Sequence, residues 1–246
     1  MRSIGNAWTR SHYGGDFSLA IPQGEHTSLS LVFVQSRDGN TGAANPGEFG
    51  AGATDQHLIY EGLSRVAADA ILAGAGSVHT QTFFSVWHPQ MVALRASLAL
   101  PRHPAQIVVS QQGRLDFNAL LFNVAEVPVF LVAGAECMSV HASALRSRPW
   151  IRHIPLIGHD LRPIIDRLRV EEGIQRISTI GGRFTATRLV DAGLAQDICL
   201  TTTSRDGGEP GTPWYDGSSP PRLRRITAKE WLERGSRVLF EHILIN

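Results

Sequence analysis

The chain of 246 residues is 43% hydrophobic, enough to bury a sizeable core in one large domain. A formal charge of +1 supplies no field for steering toward nucleic acid or an anionic membrane, and two distant cysteines, Cys137 and Cys199, argue against a disulfide framework. Residues 1–26 lack a signal-peptide core and no later run approaches a membrane span, so a cytoplasmic protein without nucleic-acid or membrane partners is expected.

Short apolar runs with the character of buried strands fall at 29–34, 70–74, 106–110, 127–134, 151–158 and 174–182. Between the first two, residues 54–70 space Leu58, Ile59, Leu63 and Val66 at helical intervals behind Thr54 as an N-cap. Residues 160–173 predict a second helix, with Asp160 as cap, a stripe of Leu161, Ile164, Ile165 and Leu168, and Gly173 as the stop. A further amphipathic segment follows the glycine pair in "TIGGRFTATRLVDAGL" (179–194). This alternation predicts an α/β fold of three layers, with a largely parallel mixed sheet covered on both faces. After "DICLTTTS" (197–204), the Gly/Pro-rich residues 205–221 read as a long surface loop. Residues 220–231 are basic and end on Trp231; with a near-neutral chain they read as a solvated loop rather than an RNA-binding segment. Residues 237–246 predict an antiparallel closing strand at the C-terminus.

Two glycine-rich turns follow predicted strands: Gly74 to Ser77, and Gly181 with Gly182. In parallel sheets ligands gather at the carboxyl ends of strands, and free N–H groups at a helix start suit a phosphate. Neither turn is a G-x-G-x-x-G fingerprint and no G-x-x-x-x-G-K-[ST] loop occurs, which disfavours a nucleoside triphosphatase. His141, His153 and His159 come from different elements without metal-ligand spacing, so no metal site is expected. "GAGSV" is not a hydrolase elbow, which removes Ser77 as a nucleophile.

Taken in order, "VQSRDGN" (34–40), "LSRVAADAILAGAGSV" (63–78), "IVVSQQGRL" (107–115) and "GIQRISTIGGRFTATRLVDAGLAQDICLTTT" (173–203), followed by "GGEPGTPWY", resemble the reductase domain of riboflavin biosynthesis. The resemblance covers roughly residues 28–246 and leaves 1–27 as an N-terminal extension. It implies a dihydrofolate-reductase-like fold, NADPH as cofactor, a small-molecule substrate and a homodimer. The implied reaction reduces the ribosylamino group of a pyrimidine ribosyl phosphate to a ribitylamino group. The zinc deaminase domain often fused to such reductases is not expected, because no H-x-E with a P-C-x-x-C partner occurs.

The resemblance also implies a cofactor site. Val34, the turn of Gly74, Gly76 and Ser77, and Ser110 are to lie along the cofactor, while Gly181, Gly182, Arg183, Phe184 and Thr185 form a pyrophosphate loop. Arg114 either reaches the 2′-phosphate or is an exposed turn arginine. Arg65 matches a family arginine that contacts substrate; read without the resemblance it is a helix-end charge on a solvated face. Asp38, the catalytic candidate, and Gly39 stand where the family has a turn beside nicotinamide and substrate, or else form an ordinary turn. Three departures bear on the substrate. Asn40 replaces a basic residue, Ile180 a glutamate, and "HTQTFFSVWH" (79–88) an "ADDP...R" run. Phe83, Phe84 and Trp87 either line a flatter, more apolar pocket or pack a larger loop into the core. Two readings therefore stand: a reductase acting on a C=N or C=C bond, or an NADPH-binding module or partner subunit with a degenerate substrate site.

Overall fold

The computed structural model describes residues 1–22, 24–42 and 46–246. The chain begins with β1 (Arg2–Ile4), α1 (Ala7–His12) and β2 (Phe17–Leu19), in which β1 and β2 form a small antiparallel sheet. Next come β3 (Ser28–Gln35), the helical turn α2 (Gly52–Thr54), a π-helical segment (Asp55–Leu63) and β4 (Ala70–Gly74). These lead to α3 (Pro89–Ser97), β5 (Ala105–Ser110), β6 (Val129–Ala133), the short helices α4 (Ala135–Val140) and α5 (Ala142–Arg146), and β7 (Ile151–Pro155). Helix α6 (Arg162–Glu172), β8 (Arg176–Ile180), α7 (Arg183–Asp191), β9 (Asp197–Thr203), β10 (Leu223–Glu233) and β11 (Ser236–Ile245) complete it.

Among the described residues the main sheet has nine strands in the order β10-β11-β9-β3-β8-β4-β5-β6-β7. Pairing is parallel from β9 through β7 and antiparallel where β11 joins β9 and β10 joins β11. All seven expected strands form, and residues 197–203 add β9; each expected strand is an apolar run whose alternate side chains can be buried on opposite faces. On β3, Leu29, Leu31 and Phe33 pack with Leu161, Ile164 and Leu168 of the α6 region and Leu189 of α7, whereas Val32 faces Leu58, Ile59 and Leu63 on the other side. That sorting makes three layers, an α/β fold of the expected class. Ile4, Tyr13, Phe17 and Leu19 are buried in the same cluster as Val32, so the N-terminal hairpin covers this face.

Three sequence expectations need correction. Residues 220–231 are not a solvated loop: they lie largely in β10, the edge strand of the sheet, where Arg224 and Arg225 are exposed and Lys229 packs 4.4 Å over the Tyr13 ring. Thr54 caps nothing, since its backbone is already helical and its side chain makes no capping bond; the helical stretch begins earlier, at Gly52. From Asp55 the winding is π, closed by the Ser64 N–H on the Ile59 carbonyl, which widens the turn and changes which side chains share a face. Helix α6 follows expectation more closely. Leu161, not Asp160, occupies the N-cap position; Asp160, one residue earlier, accepts the Arg162 N–H at 2.9 Å, and Gly173 ends the helix at φ 69°, a left-handed conformation that glycine adopts without penalty.

Candidate active site

Strands β4 and β8 are neighbours, yet the chain leaves them in opposite directions: β4 leads toward β5, and β8 through α7 to β9 beyond β3. Diverging connections at adjacent parallel strands open a crevice at their carboxyl ends. There the structure has a cavity of about 1620 Å3, larger than a pocket for one drug-sized molecule.

The two glycine turns meet in it. Gly181 has φ 68° and Gly182 φ 80°, and a Cβ on Gly181 would stand 3.1 Å from the Ser77 hydroxyl of the other turn. A Cβ on Gly74 would stand 3.3 Å from the Thr185 hydroxyl, so each turn fills the space a side chain on the other would need. Gly182 precedes α7 and no side chain caps the helix, which leaves its first amide groups to a ligand with the positive end of the helix dipole behind them. Arg114, Arg183 and Arg188 line the same region. Arg183 is partly committed, donating to the Gly211 carbonyl at 3.0 Å and lying 3.7 Å from Asp216, whereas Arg114 is exposed.

On the β3–β9 side the wall is different. Asp55 lines the cavity and accepts a hydrogen bond at Oδ1 from the hydroxyl of Thr201, whose β9 position pairs with Val34 of β3. The carboxyl is enclosed by protein and keeps its accessible surface toward the cavity; burial pushes its pKa up to about 6, against a smaller lowering by the Thr201 bond. Gln56, Ile59 and Tyr60 of the π-helical segment line this wall too, and Arg205, Glu209, Thr212, Glu233 and Arg234 close the far end. Arg234 and Gly235, at φ 50° and 80°, are the two central residues of the β10–β11 hairpin, whose tight turn requires positive φ at both.

A family profile described as the RibD C-terminal domain matches residues 27–240. The chain belongs to this family. Members of the RibD C-terminal domain family are reductases. No curated protein matches the sequence. Among solved structures, a pyrimidine reductase-like protein from Corynebacterium diphtheriae is similar with a TM-score of 0.73 at 19% identity, over 89% of this chain and 92% of that one. The riboflavin biosynthesis reductase Rib7 of Saccharomyces cerevisiae gives a TM-score of 0.59 at 16% identity, over 96% and 98% of the two chains. RibD of Acinetobacter baumannii gives 0.68 at 12% identity, over 90% of this chain but only 58% of that longer one.

Every residue expected to touch cofactor lines this cavity of the RibD C-terminal domain: Val34, Gly74, Gly76, Ser77, Ser110, Arg114, and Gly181 through Thr185. The expected substrate residues do not join them. Asp38 lies on an exposed turn outside the lining, and Gly39, at φ 82°, donates back to Ser36 at 3.0 Å. Arg65 neither reaches the cavity nor caps a solvated helix end. It is 3% exposed, donates to the Ser85 carbonyl at 2.9 Å and stacks 3.8 Å over the Tyr60 ring. Its role in these contacts is to hold the 79–88 segment, whose backbone is also gripped by Gln106 at Phe84, by Arg102 at Val86 and by Glu61 at Trp87 and His88. Phe84 is buried, Phe83 packs against the core, and Trp87 is 54% exposed; none of the three lines the cavity. Ile180 is buried and lines the cavity, and Asn40 accepts the Thr212 N–H at 3.3 Å.

Asp55 and Thr201 escaped sequence reasoning. The available signal was an acid standing four residues before Ile59, on the apolar stripe rather than the polar face of the predicted helix. Nothing local marked Arg205 or Arg234, which reach the cavity only because the segment after β9 and the last hairpin fold over it.

Proposed function

We propose that the protein is an NADPH-dependent reductase that delivers hydride to a C=N or C=C bond of a heterocyclic or ribosylated substrate. The observation that carries this reading is the contact between the two glycine turns at the diverging strands β4 and β8, inside one cavity that Arg114, Arg183 and Arg188 line on the same side. The residues present fit a dinucleotide. Gly76 has open space where a Cβ would stand, the uncapped start of α7 with Thr185 suits a pyrophosphate, and Arg114 is free to meet a 2′-phosphate. Exposed Phe184 offers a face for an adenine ring.

When bound, the reduced nicotinamide supplies a hydride; the protein orients the reacting groups and excludes water. The cofactor would lie over the ends of β5, β4 and β8, leaving the β3–β9 end, with Asp55, Tyr60, Arg205 and Arg234, to the substrate. A Thermotoga maritima neighbour, with a TM-score of 0.65 at 14% identity, is described as a deaminase/5-amino-6-(5-phosphoribosylamino)uracil reductase. That compound, a ribosylated pyrimidine carrying a phosphate for the arginines, is the first substrate to test. The alternative of a cofactor-binding module with a degenerate substrate site draws on the positions of Asp38, Phe83, Phe84 and Trp87, all outside the cavity lining. We further take the protein to be a cytoplasmic homodimer of one reductase domain, residues 28–246, with residues 1–27 as an extension.

Titration with NADPH and NADH, followed by NADPH oxidation in the presence of 5-amino-6-(5-phosphoribosylamino)uracil, tests the reading. Tight NADPH binding with substrate-dependent oxidation supports the reductase. Binding without oxidation by this or related pyrimidines and pteridines supports the module, and no binding removes both.

A further inference from the structure

We propose that Asp55, held by Thr201, is the general acid that protonates the substrate nitrogen as hydride reaches the adjacent carbon. This assignment rests on the reductase reading above and gives the β3–β9 wall of the cavity its chemistry.

Asp55 is supplied by the π-helical segment and Thr201 by β9, two elements that meet at the end of β3, one strand away from the glycine turn of β8. The Thr201 hydroxyl donates to Oδ1. Oδ2 has no hydrogen-bond partner among the described residues and is not buried away from solvent, so a proton on this carboxyl sits at Oδ2, on the atom a ligand can reach. Among the described residues Asp55 forms no ion pair; burial raises its proton affinity and the Thr201 bond opposes it. A carboxyl enclosed in this way is partly protonated near neutral pH, the condition for donating a proton there.

The other titratable and charged groups facing this wall leave the assignment intact. Cys199, two residues before Thr201 on β9, is buried and its thiol is pushed well up by burial and by the carboxylates of Asp197 and Asp55, so it stays neutral. Tyr60 lines the cavity with its ring committed to Arg65. Arg205, Glu209, Glu233 and Arg234 line the far end, and none of them forms an ion pair with Asp55; His79 lines the cavity directly after the Gly74–Ser77 turn, in the cofactor half. Ser77, Ser110 and Thr185 belong to the cofactor half and carry no acid strong enough for the task.

The step balances as follows. In a ribosylamine the C=N bond forms as the ring C–O bond breaks and the N–H proton passes to the ring oxygen; two electrons and one hydrogen then arrive at that carbon as hydride, the π bond breaks toward nitrogen, the Oδ2–H bond of Asp55 breaks and an N–H bond forms. The product is an amine, the nicotinamide leaves oxidised, and the Asp55 carboxylate takes a proton back from water entering the open cavity.

The test uses the whole protein and Asp55→Asn, an isosteric change. In the cofactor-free protein, the infrared carboxyl band should be lost with a midpoint near pH 6 and that transition should be missing from Asp55→Asn. A midpoint in the ordinary carboxylate range overturns the assignment. Thr201→Val should move the midpoint upward, because it removes the bond that favours the charged form; an unmoved midpoint takes Thr201 out of the arrangement. With NADPH and 5-amino-6-(5-phosphoribosylamino)uracil as probe, wild-type kcat/KM should fall about tenfold per pH unit once the acid is ionised. Asp55→Asn should keep its NADPH Kd within about twofold and lose roughly 100-fold or more in kcat, with the pH dependence abolished. Equal turnover by the variant eliminates Asp55 while the reductase reading stands. Absence of NADPH binding by the wild type defeats that reading instead, and the two failures are read in separate measurements.

Discussion

An acid whose proton affinity is raised by folding destabilises the protein that contains it, and Asp55 should do so measurably. Its pKa rises from 3.8 unfolded to about 6 folded, so between these values the folded state binds more protons than the unfolded one. Stability linked to this group is therefore fully present below about pH 4 and lost as pH rises through about 6. A shift of about two pH units corresponds to roughly 3 kcal/mol at pH 8, at 1.4 kcal/mol per unit. Asparagine keeps the shape and an acceptor for Thr201 but cannot ionise. Asp55→Asn should accordingly be close to wild type in stability at about pH 4 and more stable by up to about 3 kcal/mol at pH 8. Urea unfolding of both proteins across that range measures the difference directly. A difference that does not change with pH, or a variant less stable at pH 8, would refute the argument that Asp55 is held in an environment that favours its neutral form.

Three further outcomes follow from contacts already described. Arg65→Ala should cost about 3–5 kcal/mol, because it empties a fully buried site and removes the stack on Tyr60, while NADPH affinity stays within about twofold; a loss under about 1 kcal/mol would put the side chain back in solvent. Gly182→Val should abolish NADPH binding in a folded protein, since φ 80° strains a branched residue by roughly 1–2 kcal/mol and its side chain enters the anion cradle; undiminished affinity in a titration removes this loop from the site. Arg114→Ala should weaken NADPH by roughly tenfold and leave NADH nearly unchanged, the signature of one lost charge-assisted contact, and an equal loss for both dinucleotides contradicts a 2′-phosphate contact.

The sheet was legible because its strands are buried on both faces and so must be apolar from end to end. Strand β10 was not, because an edge strand can expose Arg224 and Arg225, which locally look like a loop. The cofactor half of the cavity was legible through glycines, whose backbone freedom leaves a mark in sequence. Its substrate half depends on charges whose surroundings are set by distant segments. Arg65 and Asp55 belong to one continuous helical stretch, yet one is sealed beneath the 79–88 segment and the other opens to the cavity. A 3.6-residue period cannot separate them, since the winding from Asp55 to Leu63 is π.

The position of β8 between β3 and β4 has a consequence for how the chain is made. Every partner of β3 in the sheet, β8 and β9, lies beyond Arg176, so a growing chain carries an apolar strand with both edges open for most of its synthesis. Long-range parallel pairing of this kind is slow, and the unpaired edge invites association with other chains. The two glycine turns cannot touch until the same late strand is inserted. Nucleotide binding should therefore emerge in the final phase of refolding, together with completion of the sheet.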